Sequence, residues 1–387
     1  MELIAPLAIL VCIPWIAAAP AEPPVADTPH AAEAAFGLDL YHRLSDAEGN
    51  LCIAPPCLAA TLEIALEGAR GRTRSQIAEA LRIDPARPRD TAPGYSNLEG
   101  QRLAMASAVW AQVGFQVRGD YLSAIRQGHA AGFERLDFAA HVEGARGTIN
   151  RWTADRTGGA VEELLAPGVL DTDTVLVLTS AVHFAGHWSV PFDADRTAEA
   201  GFRTPGGPAI DVPFMTRTDR FSYASLDRLD LLELPYAGGR LGLVLLLPHD
   251  DEGLRDVEQR LTTENLSAWL DELTATPVRL RLPRFALEAR FDLVDALRAM
   301  GVTDAFDDQA DFSGIGPSRG LFVSDLVHGV RIEVDERGTV GAAASGLAIK
   351  KGSHPAEFTA DHPFLFVIRD RSDGRVWFVG RVVRPAA

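Results

Sequence analysis

Apolar positions recur at helical spacing along much of the first half of the chain and run together or alternate along the second. Ala31–Leu44 places Ala35, Leu38 and Tyr41 on one face, the period of an amphipathic helix. Asn50–Ile53 predicts a short strand closed by Pro55 and Pro56, and Leu58–Glu67 a helix ended by Gly68. Thr73 is placed to cap a helix running to Leu81, 84–98 reads as a Pro-rich loop, and Leu103–Trp110 as a strand. Val142–Arg156 predicts an amphipathic helix stopped by Gly158-Gly159. Val175–Phe184 and Leu241–Leu247 are continuous apolar runs, the mark of strands buried on both faces. Val278–Leu287 alternates, and Asp292–Met300 reads as a helix capped by Asp292 and stopped by Gly301. Phe364–Arg369 and Val376–Val383 flank Ser372-Asp373-Gly374 as a hairpin. Neither a repeat nor a linker divides residues 31–387, so the pattern predicts one α+β domain.

Composition narrows the function. The chain has 387 residues, 47% hydrophobic and 23% charged, with a formal net charge of -16. That balance argues against a nucleic-acid footprint and against an anionic membrane surface. Leu3–Ala19 is apolar but interrupted by prolines, and Ala19-Pro20-Ala21 offers a small-x-small cleavage site. Residues 1–21 are therefore expected to be a signal peptide, although the segment lacks Lys and Arg and carries Glu2; a short uncleaved anchor is the alternative. Residues 22–30 would form a loose mature N-terminus, with no membrane attachment in the mature form. Of three cysteines, Cys12 leaves with the leader, and Cys52 and Cys57 are expected as buried free thiols.

Catalytic candidates are few. Gly316-Pro317-Ser318-Arg319-Gly320 matches G-x-S-x-G, but that motif needs a strand before the serine and a helix after it. Here a loop-like stretch precedes it and strand-like Leu321-Phe322-Val323 follows. His183 and His187 are four apart on a strand run, where such spacing does not converge on one metal. His328 stands alone after an apolar run and reads as a core or hydrogen-bonding residue. Neither enzyme activity nor a cofactor or metal is expected.

The unusual segment lies near the C-terminus. Gly338–Ile349 contains no proline, charge or aromatic, and Lys350 and Lys351 follow it as the only two lysines in the chain. Such a segment can enter a sheet without burying a charge or losing a backbone donor. Twelve residues make a strand of about 40 Å. On composition alone it could equally be a linker of small residues.

Several stretches together resemble the serpin family of protease inhibitors, from about Ala31 to the C-terminus. They are Asn50–Pro55, Gly68–Thr73 with Gln76-Ile77, Asn150-Arg151-Trp152 with Thr157-Gly158, Leu178–Trp188, Leu232–Tyr236, Ala310–Ile315, Asp335–Thr339 and Asp361–Phe366. The chain is similar to a secreted bacterial-type member. The resemblance implies a serpin fold with three β-sheets, eight or nine helices and an exposed reactive-centre loop at about 338–360. It implies a suicide mechanism: a target serine protease cleaves the loop and is acylated, and the loop then inserts into the central sheet as a new strand. The implied partner is a serine protease held covalently by a monomer, and the implied location is outside the cytoplasm, extracellular or periplasmic.

The resemblance also assigns residues. Gly338, Thr339, Val340, Gly341, Ala342, Ala343 and Ala344 form the hinge, with Val340 and Gly341 standing where the family has an acidic residue and then alanine. Ala54, Cys57, Ser180, His328 and Trp188 fall in the region through which the sheet opens; Ala54, Cys57 and Ser180 replace the family's Ser, Ser and Asn. Glu336 and Arg284 match a charged pair at the loop's root and are expected to meet. Family spacing places the scissile bond at Gly352–Ser353, whereas a trypsin-like pocket would take Lys351 and cut Lys351–Gly352; Lys350–Lys351 is the third choice. A non-inhibitory member, acting as carrier, chaperone or substrate, remains the alternative, because glycine in an inserting strand costs roughly 0.5–1 kcal/mol relative to alanine.

Overall fold

The computed structural model describes residues 29–84, 101–316, 320–339 and 355–385. The expected leader, residues 22–28 of the N-terminus, nearly all of the 84–98 loop, Ser318, hinge residues Val340–Ala344 and the candidate bond at Lys351, Gly352 and Ser353 lie outside these residues.

The chain begins with α1 (Pro29–Leu44), β1 (Leu51–Ile53), α2 (Pro55–Gly68) and α3 (Gly71–Ala80). Then come β2 (Arg102–Gln112), α4 (Gly119–His129), β3 (Gly132–Leu136), α5 (Phe138–Thr157) and β4 (Leu176–His187). β5 (Ala198–Phe202), β6 (Ile210–Leu226), β7 (Leu229–Pro235) and β8 (Leu241–Pro248) lead to α6 (Leu254–Arg260) and α7 (Thr263–Asp271). β9 (Thr274–Pro283), β10 (Phe285–Asp292), α8 (Val294–Ala299), β11 (Asp325–Val334), β12 (Gly338–Thr339), β13 (Ala356–Thr359), β14 (Phe364–Asp370) and β15 (Val376–Val382) complete it.

The α+β class is as expected, with eight α-helices among the described residues. The three sheets appear as two hydrogen-bonded systems, because the 17-residue β6 pairs with β5, β7 and β9 and joins two of them. The larger runs β1-β15-β14-β8-β7-β6-β9-β13, and the central sheet runs β10-β11-β4-β2-β3 with β12 attached to β4. Alternate residues of β4 serve two cores. Val177 and Ala181 pack with Phe138, Ala145 and Ile149 of α5, while Leu178 joins Leu58, Leu62 and Ala65 of α2 on the other face.

Several boundaries differ from the sequence reading. Pro29 and His30 belong to α1, not to a loose N-terminus. Pro55 and Pro56 open α2 at its first turn, where the missing N–H is no loss. Thr73 lies inside α3; its hydroxyl accepts from Asp311 N at 2.9 Å instead of capping. α5 starts four residues early because Asp137 caps Ala140 N and His141 is kinked out of helical geometry (φ -138°, ψ 52°). The 278–287 stretch is two strands in different sheets, parted at Arg284. Leu321–Val323 is not a strand; β11 begins at Asp325.

Candidate functional site

β4 and β11 lie side by side in parallel, from Asp325 opposite Val177 to Arg331 opposite His183. This register puts Ser180 directly opposite His328. Below the pair, the first turn of α2 brings Ala54 and Cys57 against both strands. Ala54 N–H donates to His328 Nε2 at 3.3 Å, so that nitrogen carries no proton and Nδ1 does. Nδ1–H then donates to Ser180 Oγ at 3.0 Å, the Ser180 hydroxyl to Cys57 Sγ at 3.1 Å, and the thiol to Ala181 O at 3.6 Å. The chain uses each hydrogen once and pins α2, β4 and β11 together.

Burial sets the protonation of this cluster. His328 is fully buried, which pushes its pKa down to about 3 and keeps it neutral. Burial raises the Cys57 thiol to about 11, although hydrogen bonds from Ser180 and Ser107 pull the other way. Two members escaped the sequence reading. Thr61 Oγ1 lies 2.9 Å from Cys57 O and 3.0 Å from Ser107 Oγ, extending the cluster to β2. The signal for Thr61 was its place one helical turn after Cys57; Ser107 lies in another strand and had none.

Trp188 does not join this cluster. It sits just past the end of β4, eight positions from Ser180 and so roughly 26 Å away along an extended strand. There it belongs to a second group at the loop's root. Its indole N–H donates to Asp335 O at 2.9 Å, and its ring stacks on Tyr236 at 4.7 Å. Arg284 Nε donates to both carboxylate oxygens of Glu336 at 2.7 and 2.8 Å, joined by Nη2 and by the Thr197 hydroxyl. Glu336 is buried, which by itself raises its pKa, but the bonds from Arg284 and Thr197 outweigh burial and hold it low. Thr197 also went unread, being distant in sequence.

Asp335 folds this root into a turn, its carboxylate accepting from Arg337 N at 2.8 Å and Gly338 N at 3.1 Å. Gly338 has φ +146°, and a Cβ there would lie 2.1 Å from Gly186 O, so only glycine fits. The turn reverses the chain, and β12 runs antiparallel to β4 with Gly338 opposite His187 and Thr339 opposite Gly186.

His183 and His187 lie on one face of β4, roughly 13 Å apart, too far to share a metal. No metal-binding group of His, Cys, Asp or Glu occurs among the described residues. Cys52 and Cys57 are both free and buried.

The family model described as "Serpin (serine protease inhibitor)" matches residues 31–385. The leukocyte elastase inhibitor of Sus scrofa is 36% identical over 375 residues, covering 92% of this chain and 99% of that protein. That of Homo sapiens is 35% identical over 369 residues, covering 90% and 97%. Uncleaved ovalbumin superposes with a TM-score of 0.84 at 28% identity, covering 92% of this chain and 100% of that chain. Serpin48 of the insect Tenebrio molitor gives 0.83 at 29%, covering 92% and 98%. These relatives are animal proteins and lend no support to a bacterial type. Family model, relatives and fold agree: the chain belongs to the serpin family of serine protease inhibitors.

Proposed function

We propose that the protein is a suicide inhibitor of serine endopeptidases that cleave after basic residues, exported by its leader, and acting by loop cleavage, acyl-enzyme trapping and insertion of Gly338–Ile349 between β4 and β11. One observation carries the reading: β12 already lies antiparallel on the end of β4, while β4 and β11 are still bonded to each other below it. Continuing that register past Thr339 places Ile349 opposite Leu176, the first residue of β4. The charge-free segment thus matches the 12-residue strand it would pair with, and Lys350 falls just past its end.

The same register divides the segment by face. Ser345, Leu347 and Ile349 would point toward the α2 side with Ser180, Leu178 and Leu176, and Ala342, Ala344 and Gly346 toward α5. The larger apolar side chains meet the core and the small ones pass beneath the helix. Ser345 would come between Ser180 and His328, where its hydroxyl can replace the hydrogen bond that separation breaks. Insertion exchanges one ladder for two, each bond worth about 1 kcal/mol net. Ordering the segment opposes this by about 1–2 kcal/mol per residue, so burial of Leu347 and Ile349 is needed as well.

Lys351 is the preferred contact residue for a trypsin-like pocket, with Gly352 preferred by loop length. The relatives carry elastase in their names, so the test uses both enzyme classes. The protein is incubated with trypsin and with elastase and run on a denaturing gel. A band at the summed mass with trypsin supports the reading. Clean cleavage without such a band favours the non-inhibitory alternative, which Gly341 in the inserting segment would explain. N-terminal sequencing of the exported protein tests the cut after Ala21.

A further inference from the structure

The strand that receives the chain after the reactive segment carries a feature that trapping itself does not require. β13 pairs with β9, and β9 with β6. Val278, Leu280 and Phe358 point inward and are fully buried. Their neighbours therefore point outward: Arg279 opposite Thr218 and Glu357, Arg281 opposite Thr216 and Thr359, and Arg220 opposite Pro277. Arg279 and Glu357 are exposed and pair at 3.4 Å. Arg220 is exposed and donates to Ala275 O at 2.7 Å, while the Arg281 guanidinium lies 5.2 Å from the Phe214 ring centre. On this face of the paired span, among the described residues, three arginines stand against one carboxylate. From Pro277, opposite Arg220, to Arg281 is four residues along β9, which makes the row about 13 Å long. The chain as a whole carries -16.

We infer that this row is a docking surface for an acidic rim on the target protease, beside the cleft that takes the reactive segment. The inference rests on the protease-trapping reading above. Lys351 is five residues from Ala356, so the chain holds the two within about 18 Å by any path. A protease of roughly 220 residues has a radius of gyration of about 17 Å, so an enzyme engaged there overhangs β13 and β9. At physiological salt, charges more than about 8 Å away are largely screened. The local arginine row therefore outweighs the distant acidic surface at contact and steers an acidic partner into place.

The test uses an anionic and a cationic trypsin, each with its catalytic serine replaced by alanine, so that docking is read without acylation or insertion. Association rates are measured at 0.15 M and 1 M salt. Anionic trypsin is expected to associate about tenfold faster with the wild type than with R279Q/R281Q at the lower salt, and the gap is expected to close at the higher. R220Q/R279Q, which leaves the Arg281–Phe214 contact intact, should slow association as well, and Glu357→Gln should speed it about twofold. Cationic trypsin should show no such gap. Equal rates for wild type and both double variants, or no binding of either trypsin, overturns the inference. Salt-dependent docking of anionic trypsin without any covalent complex from active trypsin would instead retain the surface and sink the inhibitor reading.

Discussion

Lowering the pH from 7 to 5 is expected to lower the stability of the fold through one residue, His328, because the unfolded imidazole takes up a proton that the buried one does not. Its folded pKa of about 3 lies below the unfolded value near 6.5, because burial penalises the imidazolium. Its stabilising contribution is therefore complete above about pH 6.5 and is lost as the pH falls toward 3. At pH 5 the unfolded state is favoured by about 1.5 pK units, or about 2 kcal/mol, which for a domain of this size is about 3 °C in melting temperature. Asp325 acts in the opposite sense. Burial first, then Asp292 and Asp171, raise it to about 6, so protonation favours the folded state as pH falls below that value. Allowing for its partial exposure, it returns less than about 1 kcal/mol at pH 5. The wild-type shift alone mixes the two, so the assay compares variants. Melting is followed by circular dichroism at pH 7 and pH 5 for wild type, His328→Gln and Asp325→Asn. The drop between the two pH values should be about 3 °C smaller in His328→Gln and larger in Asp325→Asn. An identical drop in wild type and His328→Gln would refute the argument that the buried imidazole stays neutral in the folded protein.

Arg284→Met leaves the buried Glu336 carboxylate with only Thr197; because Arg284 is itself 40% exposed, the expected loss is about 1–2 kcal/mol, read as a lower urea midpoint. An unchanged midpoint would show that the pair does not secure the loop's root. Gly338→Val forces a side chain into φ +146° against Gly186 O and should cost about 2–3 kcal/mol in thermal unfolding; a native melting temperature would contradict the turn geometry. Cys52 and Cys57, both buried with thiol pKa values raised, should resist alkylation at pH 8 in the native protein and react fully in denaturant. Native-state labelling of Cys57, mapped by mass spectrometry, would mean the cluster beneath the sheet is open.

The central strand was legible because it is buried on both faces: Val175–Phe184 and Leu241–Leu247 mark β4 and β8 to within a few residues. β6 was not, because the buried face switches between Phe214 and Met215 as it passes from one set of partners to the next, which destroys a single alternation. The break at Arg284 was hidden for the related reason that β9 and β10 continue one apolar pattern while entering different sheets. α4, α6 and α7 are short helices with few buried residues each and left a weak periodic signal. Ala54, Cys57, Ser180 and His328 meet because strand register sets Ser180 against His328 and the start of α2 lies against both. Trp188 lies past the far end of β4, away from the Ser180–His328 bond, a separation hidden in the sequence because a motif gives order along the chain and not the length of the strand within it.

The account stands on the segment after Gly338 entering the sheet between β4 and β11 once it is cut. Hydrogen exchange read by mass spectrometry on intact and trypsin-cleaved protein tests this directly. After cleavage, the amides of Thr339–Ile349 should become protected while those of Val177–His183 and Asp325–Arg331 stay protected and the melting temperature rises. Free exchange across Thr339–Ile349 in the cleaved protein, with an unchanged melting temperature, would contradict it.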